Sequence, residues 1–199
     1  MYWWSCSNRN IQGNCKKNKL FVGSKKCSVK EIQSLIENKN LREVHNLINF
    51  IDDSFNDYKL SDIFLIAELS NTQRTNNASY YTRRDLVFNT LNALPEIKKK
   101  NLRIIEPSVG VGNFLPTLFE KYKDIDNVEL DLFDIDQNSI KILKTILSRI
   151  NVPKSFKINI YNKDFLLHKF SKKYDFLIGN PPFKKITKSK KLLNLYKSK

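Results

Sequence analysis

This 199-residue chain is short of cysteine, of long apolar runs and, toward its end, of acid. Its three cysteines, Cys6, Cys15 and Cys27, all fall in the first stretch, with no C-x-x-C spacing and no histidine beside them. An odd number without ligand spacing speaks against a zinc site and for reduced thiols, so no metal is expected. No apolar run approaches the roughly eighteen residues of a membrane span, and residues 1–10 lack the basic start and apolar core of a secretory signal. Both absences lead to the expectation of a cytoplasmic chain with no membrane partner. After Asp175 there is no acidic residue, while Lys184, Lys185, Lys188, Lys190, Lys191, Lys197 and Lys199 follow. Such a run suits either a surface that tracks a phosphate backbone or a solvated tail. The formal charge of +15 also invites a nucleic-acid partner, although a bias toward Lys, Asn and Ile would produce it without selection for binding.

What is present is enough chain for one domain with a buried core. Ser28 and Glu31 form a capping-box pattern ahead of the stripe Ile32, Leu35 and Ile36. Leu41, Val44, Leu47, Ile48 and Ile51 give a second helical stripe, and a helix over about 61–69 carries Ile63, Phe64, Ile66, Ala67 and Leu69. His45 lies beside the second stripe with no ligand-spaced partner, as a helix-surface histidine does. These helices define an N-terminal region, 1–76, that forms a small module or a cap on the domain after it; its first 26 residues carry no motif. The polar run 70–77 reads as a linker. A further helix has Leu86, Val87, Leu91 and Leu94 on its apolar side and ends at Pro95.

Strand and helix patterns then alternate. A strand over 102–105 meets a glycine-bearing loop, followed by a helix with Leu115, Leu118, Phe119 and Tyr122 at i, i+3, i+4 and i+7. A strand over 128–133 ends in Asp134 and leads to a helix over 138–150, buried through Ile140, Leu143, Ile146, Leu147 and Ile150. The third strand alternates Phe156, Ile158 and Ile160 with Lys157, Asn159 and Tyr161, which suits a half-exposed edge. The fourth, over 174–179, is a continuous apolar run that suits a central position. The sum is a parallel α/β sheet of about four strands within 77–199.

Two corners of that sheet carry chemistry. Gly110 and Gly112 let the main chain approach a ligand at the positive end of the following helix, and Asp134 lies about twenty residues on, where an acid meets ribose hydroxyls. A dinucleotide fingerprint would need a third glycine where Leu115 stands, and nothing downstream offers hydride chemistry. The other corner is Asn180, Pro181, Pro182 and Phe183 at the end of the fourth strand. An exocyclic amine on an aromatic base is a poor nucleophile because its lone pair is delocalised. The Asn180 side-chain carbonyl and the Pro181 main-chain carbonyl can draw on its protons, the prolines remove competing donors, and Phe183 can stack a base taken out of a duplex. The same four residues also fit a strand terminator ahead of a buried Phe.

Tyr81 and Thr82, the loop 106–114, Asp134, Asp164 and Phe165, and the Asn180 to Phe183 corner, in that order, resemble the adenine-specific DNA methyltransferases of restriction-modification systems, in their gamma arrangement. The likeness runs over about 77–183. It implies an α/β, Rossmann-like class I sheet binding S-adenosylmethionine, with the cofactor across Glu106, Pro107, Gly110 and Gly112 and its ribose on Asp134. It further implies that Asp164 accepts from the cofactor's adenine amine, that Phe165 packs on that ring, and that Tyr81 and Thr82 hold the methionine end. Asn180, Pro181, Pro182 and Phe183 would then hold a flipped DNA adenine. Arg83 stands where the family usually has proline, and Val109 where it usually has a small residue or Cys. Family members have seven strands, so the resemblance implies the N-terminal portion of an enzyme, inactive alone: either a truncated product, or one half of a split enzyme whose partner would be a complementary C-terminal half with the remaining strands and the target-recognition domain. Two alternatives stay open: a methyltransferase acting on ribosomal RNA adenine or protein glutamine, and a non-catalytic remnant or interaction subunit.

Overall fold

The structure, a computed structural model, describes residues 27–71, 84–182 and 190–197. Three helices come first, α1 (Val29–Asn38), α2 (Val44–Ser54) and α3 (Leu60–Ser70), then α4 (Arg84–Asn92). The capping box forms as its sequence predicts: the Glu31 amide donates to Ser28 Oγ, and the Ser28 amide to Glu31 Oε2 at 2.6 Å. His45 lies on the exposed side of α2, bonded to Asn49. In α4 the buried pair is Val87 and Leu91, whereas Leu86 is 50% exposed. One residue turns a helix by about 100°, so the i, i+4 pair sets the face and Leu86 falls outside it.

The remaining elements build the sheet: β1 (Asn101–Glu106), α5 (Leu115–Tyr122), β2 (Asn127–Asp134), α6 (Gln137–Arg149), β3 (Phe156–Asn162), β4 (Phe176–Leu177) and, further on, α7 (Lys190–Lys197). All pairings are parallel, in the order β3-β2-β1-β4. This is a four-stranded, Rossmann-like parallel sheet, as the alternating pattern predicts. Alternation along β2 sends Val128, Leu130 and Leu132 to one face, into a core with Leu118, Phe119 and Tyr122 of α5 and Ile140 and Leu143 of α6. The β3 strand is an edge, as its alternation requires. The fourth strand corrects the sequence reading: only Phe176 and Leu177 pair, with Ile104 and Ile105, and they lie at the sheet's other margin, leaving Leu177 62% exposed. An apolar run reports burial of a strand's faces and says nothing about which neighbours complete it.

The opposite face of β2 carries Glu129, Asp131 and Phe133, over which the 163–175 crossover lies. Lys172 Nζ reaches Glu129 at 2.8 Å and Asp131 at 3.2 Å, Asn159 donates to both carboxylates, and the Tyr174 hydroxyl donates to Asp131. Burial pushes the Asp131 carboxyl up, but the bonds from Tyr174, Asn159 and Lys172 outweigh it and hold the group below its ordinary range. At the base of β4 the Asp175 amide donates to the Arg103 carbonyl, and Asp175 Oδ2 accepts from the Arg103 amide at 2.9 Å, which pins β4 to β1.

The helices α1 to α3 share a core with Val111 of the glycine loop and with Ile142 and Ile146 of α6. Arg149 of α6 grips Asp52 of α2 through Nε and Nη2, at 2.8 and 2.6 Å. The N-terminal helices therefore form a wall beside the glycine loop. Among the described residues no helix is long and apolar enough to cross a membrane.

Candidate functional site

The chain leaves β1 sideways to β2 and β3, then returns to β4 on the other side of β1. In such sheets the crevice at the carboxyl ends, where the direction reverses, is the place for a ligand. Glu106 ends β1 there, Asp134 ends β2, Asp164 follows β3, and Asn180 follows β4 by way of Gly179. A Cβ placed on Gly179 would stand 3.1 Å from Pro107 Cδ and 3.7 Å from Glu106 Cγ, so only glycine lets the fourth corner close onto the first without displacement.

The loop after Glu106 is built by its valines and opened by one glycine. Val109 and Val111 are buried, and the Val109 amide donates to the Phe133 carbonyl at 2.8 Å. Val109 thus acts as an apolar peg where a smaller residue was expected. Gly110, at φ +55°, has nothing within 4 Å of its Cβ position and faces open space. Gly112, at φ +98°, is packed instead: its Cβ position lies 2.8 Å from Leu143 Cδ1 and 2.9 Å from Leu115 Cδ1. The two glycines, read together in the sequence as ligand-facing, divide the work between approach and packing.

Asp134 Oδ2 accepts from the Gly110 amide at 2.7 Å and Oδ1 from the Asp136 amide at 2.8 Å, so the carboxylate shapes the loop it faces. Burial, against the pull of those amides, moves its pKa up from the ordinary value. Glu106 is 1% exposed, and its pKa is raised well above the usual carboxylate range, first by burial and then by the charge of Asp134. Its Oε2 and the Oγ of Ser108 are buried with no hydrogen-bond partner among the described residues. Among the described residues, a pair of desolvated carboxylates, an open glycine and two orphaned oxygens form a site short of donors and of positive charge.

Asp164 Oδ1 caps a short 3-10 turn, Phe165–Leu167, by accepting from the Leu166 amide at 2.9 Å, and its Oδ2 accepts from the Tyr196 hydroxyl at 2.6 Å. The Phe165 ring meets Phe133 edge-on at 5.7 Å and Phe170 at 5.2 Å. Asn180 is half-buried, whereas Pro181 and Pro182 are exposed. Tyr81, Thr82 and Phe183 lie outside the described residues. Sequence reasoning did not single out Ser108, Tyr196 or Ile135, which is 64% exposed beside Asp134 and offers an apolar surface at the mouth. An apolar residue directly after a strand-ending acid was the signal available for Ile135. A groove at the opposite, amino ends of the strands, lined by Arg103, Glu129, Lys154, Lys157 and Lys173 among others, holds none of the expected site residues.

Residues 87–195 match the family model of the methyltransferase small domain, a little over half of the chain. Over 82 residues the chain is 35% identical to the modification methylase CviBIII of Paramecium bursaria Chlorella virus NC1A, a match that takes in 40% of this chain and 19% of that protein. Among solved structures, a Listeria monocytogenes protein assigned to the class I S-adenosylmethionine-dependent methyltransferases superposes with a TM-score of 0.37 at 12% identity, covering 78% of this chain and 60% of the other. The CMeT domain of the citrinin polyketide synthase gives a TM-score of 0.31 at 15% identity, covering 78% and 44%. The chain thus spans less than two thirds of each of these proteins.

Proposed function

The chain belongs to the methyltransferase small domain family, with S-adenosylmethionine as cofactor, and from that premise we propose that it serves methyl transfer to the exocyclic N6 amine of adenine in DNA. The observation that carries the reading is the acceptor-rich mouth: Glu106 and Asp134, desolvated and with no cation beside them among the described residues, flank open Gly110 beside the Asn180 corner. S-adenosylmethionine fits such a site, because its ammonium, sulfonium and ribose hydroxyls supply the positive charge and donors that these residues lack; when bound, it brings an activated methyl group on sulfur. Glu106 faces the cationic end, Gly110 lets the main chain come close, Asp134 accepts from the ribose hydroxyls, and Asp164 accepts from the cofactor's adenine amine. Tyr81 and Thr82 complete the methionine end.

At the target, the Asn180 side-chain carbonyl and the Pro181 main-chain carbonyl accept from the N6 amine. With the cofactor bound, these two carbonyls would hold the amine toward the methyl group, the cofactor would leave as its neutral thioether, and the proton shed by the amine would go to solvent. The protein supplies position rather than a metal, which is where much of such a rate gain comes from. Phe183 stacks the flipped base, and the lysines after it track the phosphates. The likeness to a modification methylase supports DNA as substrate. Exposed Leu177 and the short margin strand β4 fit a complementary C-terminal half as the partner that continues the sheet. Such an enzyme would work in the cytoplasm.

The test is to incubate the protein with methyl-labelled cofactor and, in parallel, unmethylated duplex DNA of mixed sequence, ribosomal RNA and a cell protein extract, then digest each to its nucleosides or amino acids. N6-methyladenine is the expected product, and Asn180→Ala should lower its yield by about 10²-fold or more, the scale on which a lost transition-state hydrogen bond acts. Label in cytosine, RNA or protein would contradict the substrate, and no label in any of them would favour a non-catalytic role.

A further inference from the structure

The α7 helix, Lys190–Lys197, brings a residue from the end of the chain onto the cofactor crevice. Its Tyr196 hydroxyl donates to Asp164 Oδ2 at 2.6 Å, across 32 positions of sequence. The other carboxylate oxygen is committed to the Leu166 amide of its own turn, so Oδ2 is the oxygen turned away from local structure. Resting on the reading above, in which Asp164 receives the cofactor's adenine amine, the phenol and the amine compete for one acceptor. We propose that α7 is a latch on the adenine subsite, and that Tyr196 holds the site in a closed state which the cofactor must displace.

The chemistry of the contact suits a latch. A hydroxyl on a carboxylate is a charge-assisted bond, strong enough to populate the closed state. It is also exchangeable, since an aromatic amine offers Asp164 an equivalent donor. The phenol's pKa is raised, chiefly by its bond to Asp164, so Tyr196 stays protonated and able to donate across the neutral range. Among its described side chains, Leu193 is 36% exposed and Asn194 and Lys197 are exposed as well, which suits a contact that can open. Any protein held closed in a fraction of its molecules binds its ligand more weakly by that fraction.

The experiment is isothermal titration of the full chain with S-adenosylmethionine and with S-adenosylhomocysteine, comparing the unsubstituted protein with Tyr196→Phe, Tyr196→Ala and Asp164→Asn. Both tyrosine variants are expected to bind about three- to thirtyfold more tightly, the span of one such hydrogen bond. Asp164→Asn, which keeps one acceptor for the Leu166 amide and puts an NH2 group where latch and ligand both need an acceptor, should bind no more tightly than the unsubstituted chain. Thermal unfolding of each variant confirms that a folded protein is compared. Equal affinity in the tyrosine variants would overturn the latch and leave the cofactor site standing, and weaker binding would make Tyr196 part of the ligand's own contacts. No binding by any folded variant would overturn the cofactor site together with the latch.

Discussion

Replacing Gly112 with alanine is expected to lower stability by about 2–5 kcal/mol, from left-handed backbone strain of roughly 1–2 kcal/mol and overpacking of roughly 1–3 kcal/mol. The new methyl would meet Leu143 at 2.8 Å, Leu115 at 2.9 Å and Phe64 at 3.3 Å. Each of those ends is flexible in principle, but all three side chains are buried between α3, α5 and α6 and have nowhere to go. Gly110→Ala is the matched control. At φ +55° it carries the strain, but its methyl enters open space, so its cost should stay near 1 kcal/mol while cofactor affinity falls because the methyl stands where the ligand approaches. Thermal denaturation followed by circular dichroism separates the two, at roughly 2–4 °C per kcal/mol for a chain of this size. Equal melting temperatures for the two variants would contradict the division of labour between the glycines.

Glu106→Gln is expected to move stability and binding in opposite directions. The buried carboxyl has a raised pKa, so the folded protein holds this proton to higher pH than the unfolded chain does. Its contribution to stability is fully present below the ordinary carboxylate value and is lost as pH rises through the raised one. At neutral pH the burial of an acid that would ionise freely in the unfolded chain is a cost that glutamine, with the same shape and no charge, removes. A gain of about 0.5–2 kcal/mol is expected at pH 7 to 8, shrinking toward nothing near pH 4, as read from urea unfolding at both ends of that range. Affinity for S-adenosylmethionine should fall about ten- to hundredfold, because the cofactor's positive charge loses a desolvated partner. Binding to the unsubstituted protein should also tighten as pH rises, since the ionised form is the one a cation selects. A variant that loses both stability and affinity would show Glu106 to be structural.

Much of the fold can be read along the chain because its signals are local. Val128, Leu130 and Leu132 alternate with Glu129, Asp131 and Phe133, and that period of two fixes strand and faces at once. Ser28 and Glu31 mark a helix start within four residues. The departures all come from partners distant in sequence. The apolar run Phe176, Leu177, Ile178 cannot announce that it pairs with β1 alone, at a margin of the sheet. The spacing of Gly110 and Gly112 cannot reveal that Leu143, thirty-one positions past the second, makes it a packing residue. Asp134 was legible as an acid at a strand end, but its grip on the Gly110 amide depends on how β1 and β2 sit side by side. Tyr196 stands in a lysine-rich stretch that composition describes as solvated or phosphate-facing, and only the fold brings it to Asp164.

The central claim is that the carboxyl ends of β1 and β2 form a cofactor site, and calorimetric titration of the purified chain with S-adenosylmethionine tests it most directly. Asp134→Asn is the paired variant, because the amide oxygen still accepts from the Gly110 amide while the charge and one acceptor are lost. One equivalent of cofactor should bind to the unsubstituted protein, and the variant, which loses the bond from the Asp136 amide, should stay folded with a melting temperature only a few degrees lower and bind about ten- to hundredfold more weakly. A folded protein that takes up no cofactor, or a variant that binds as tightly as its parent, would contradict the account.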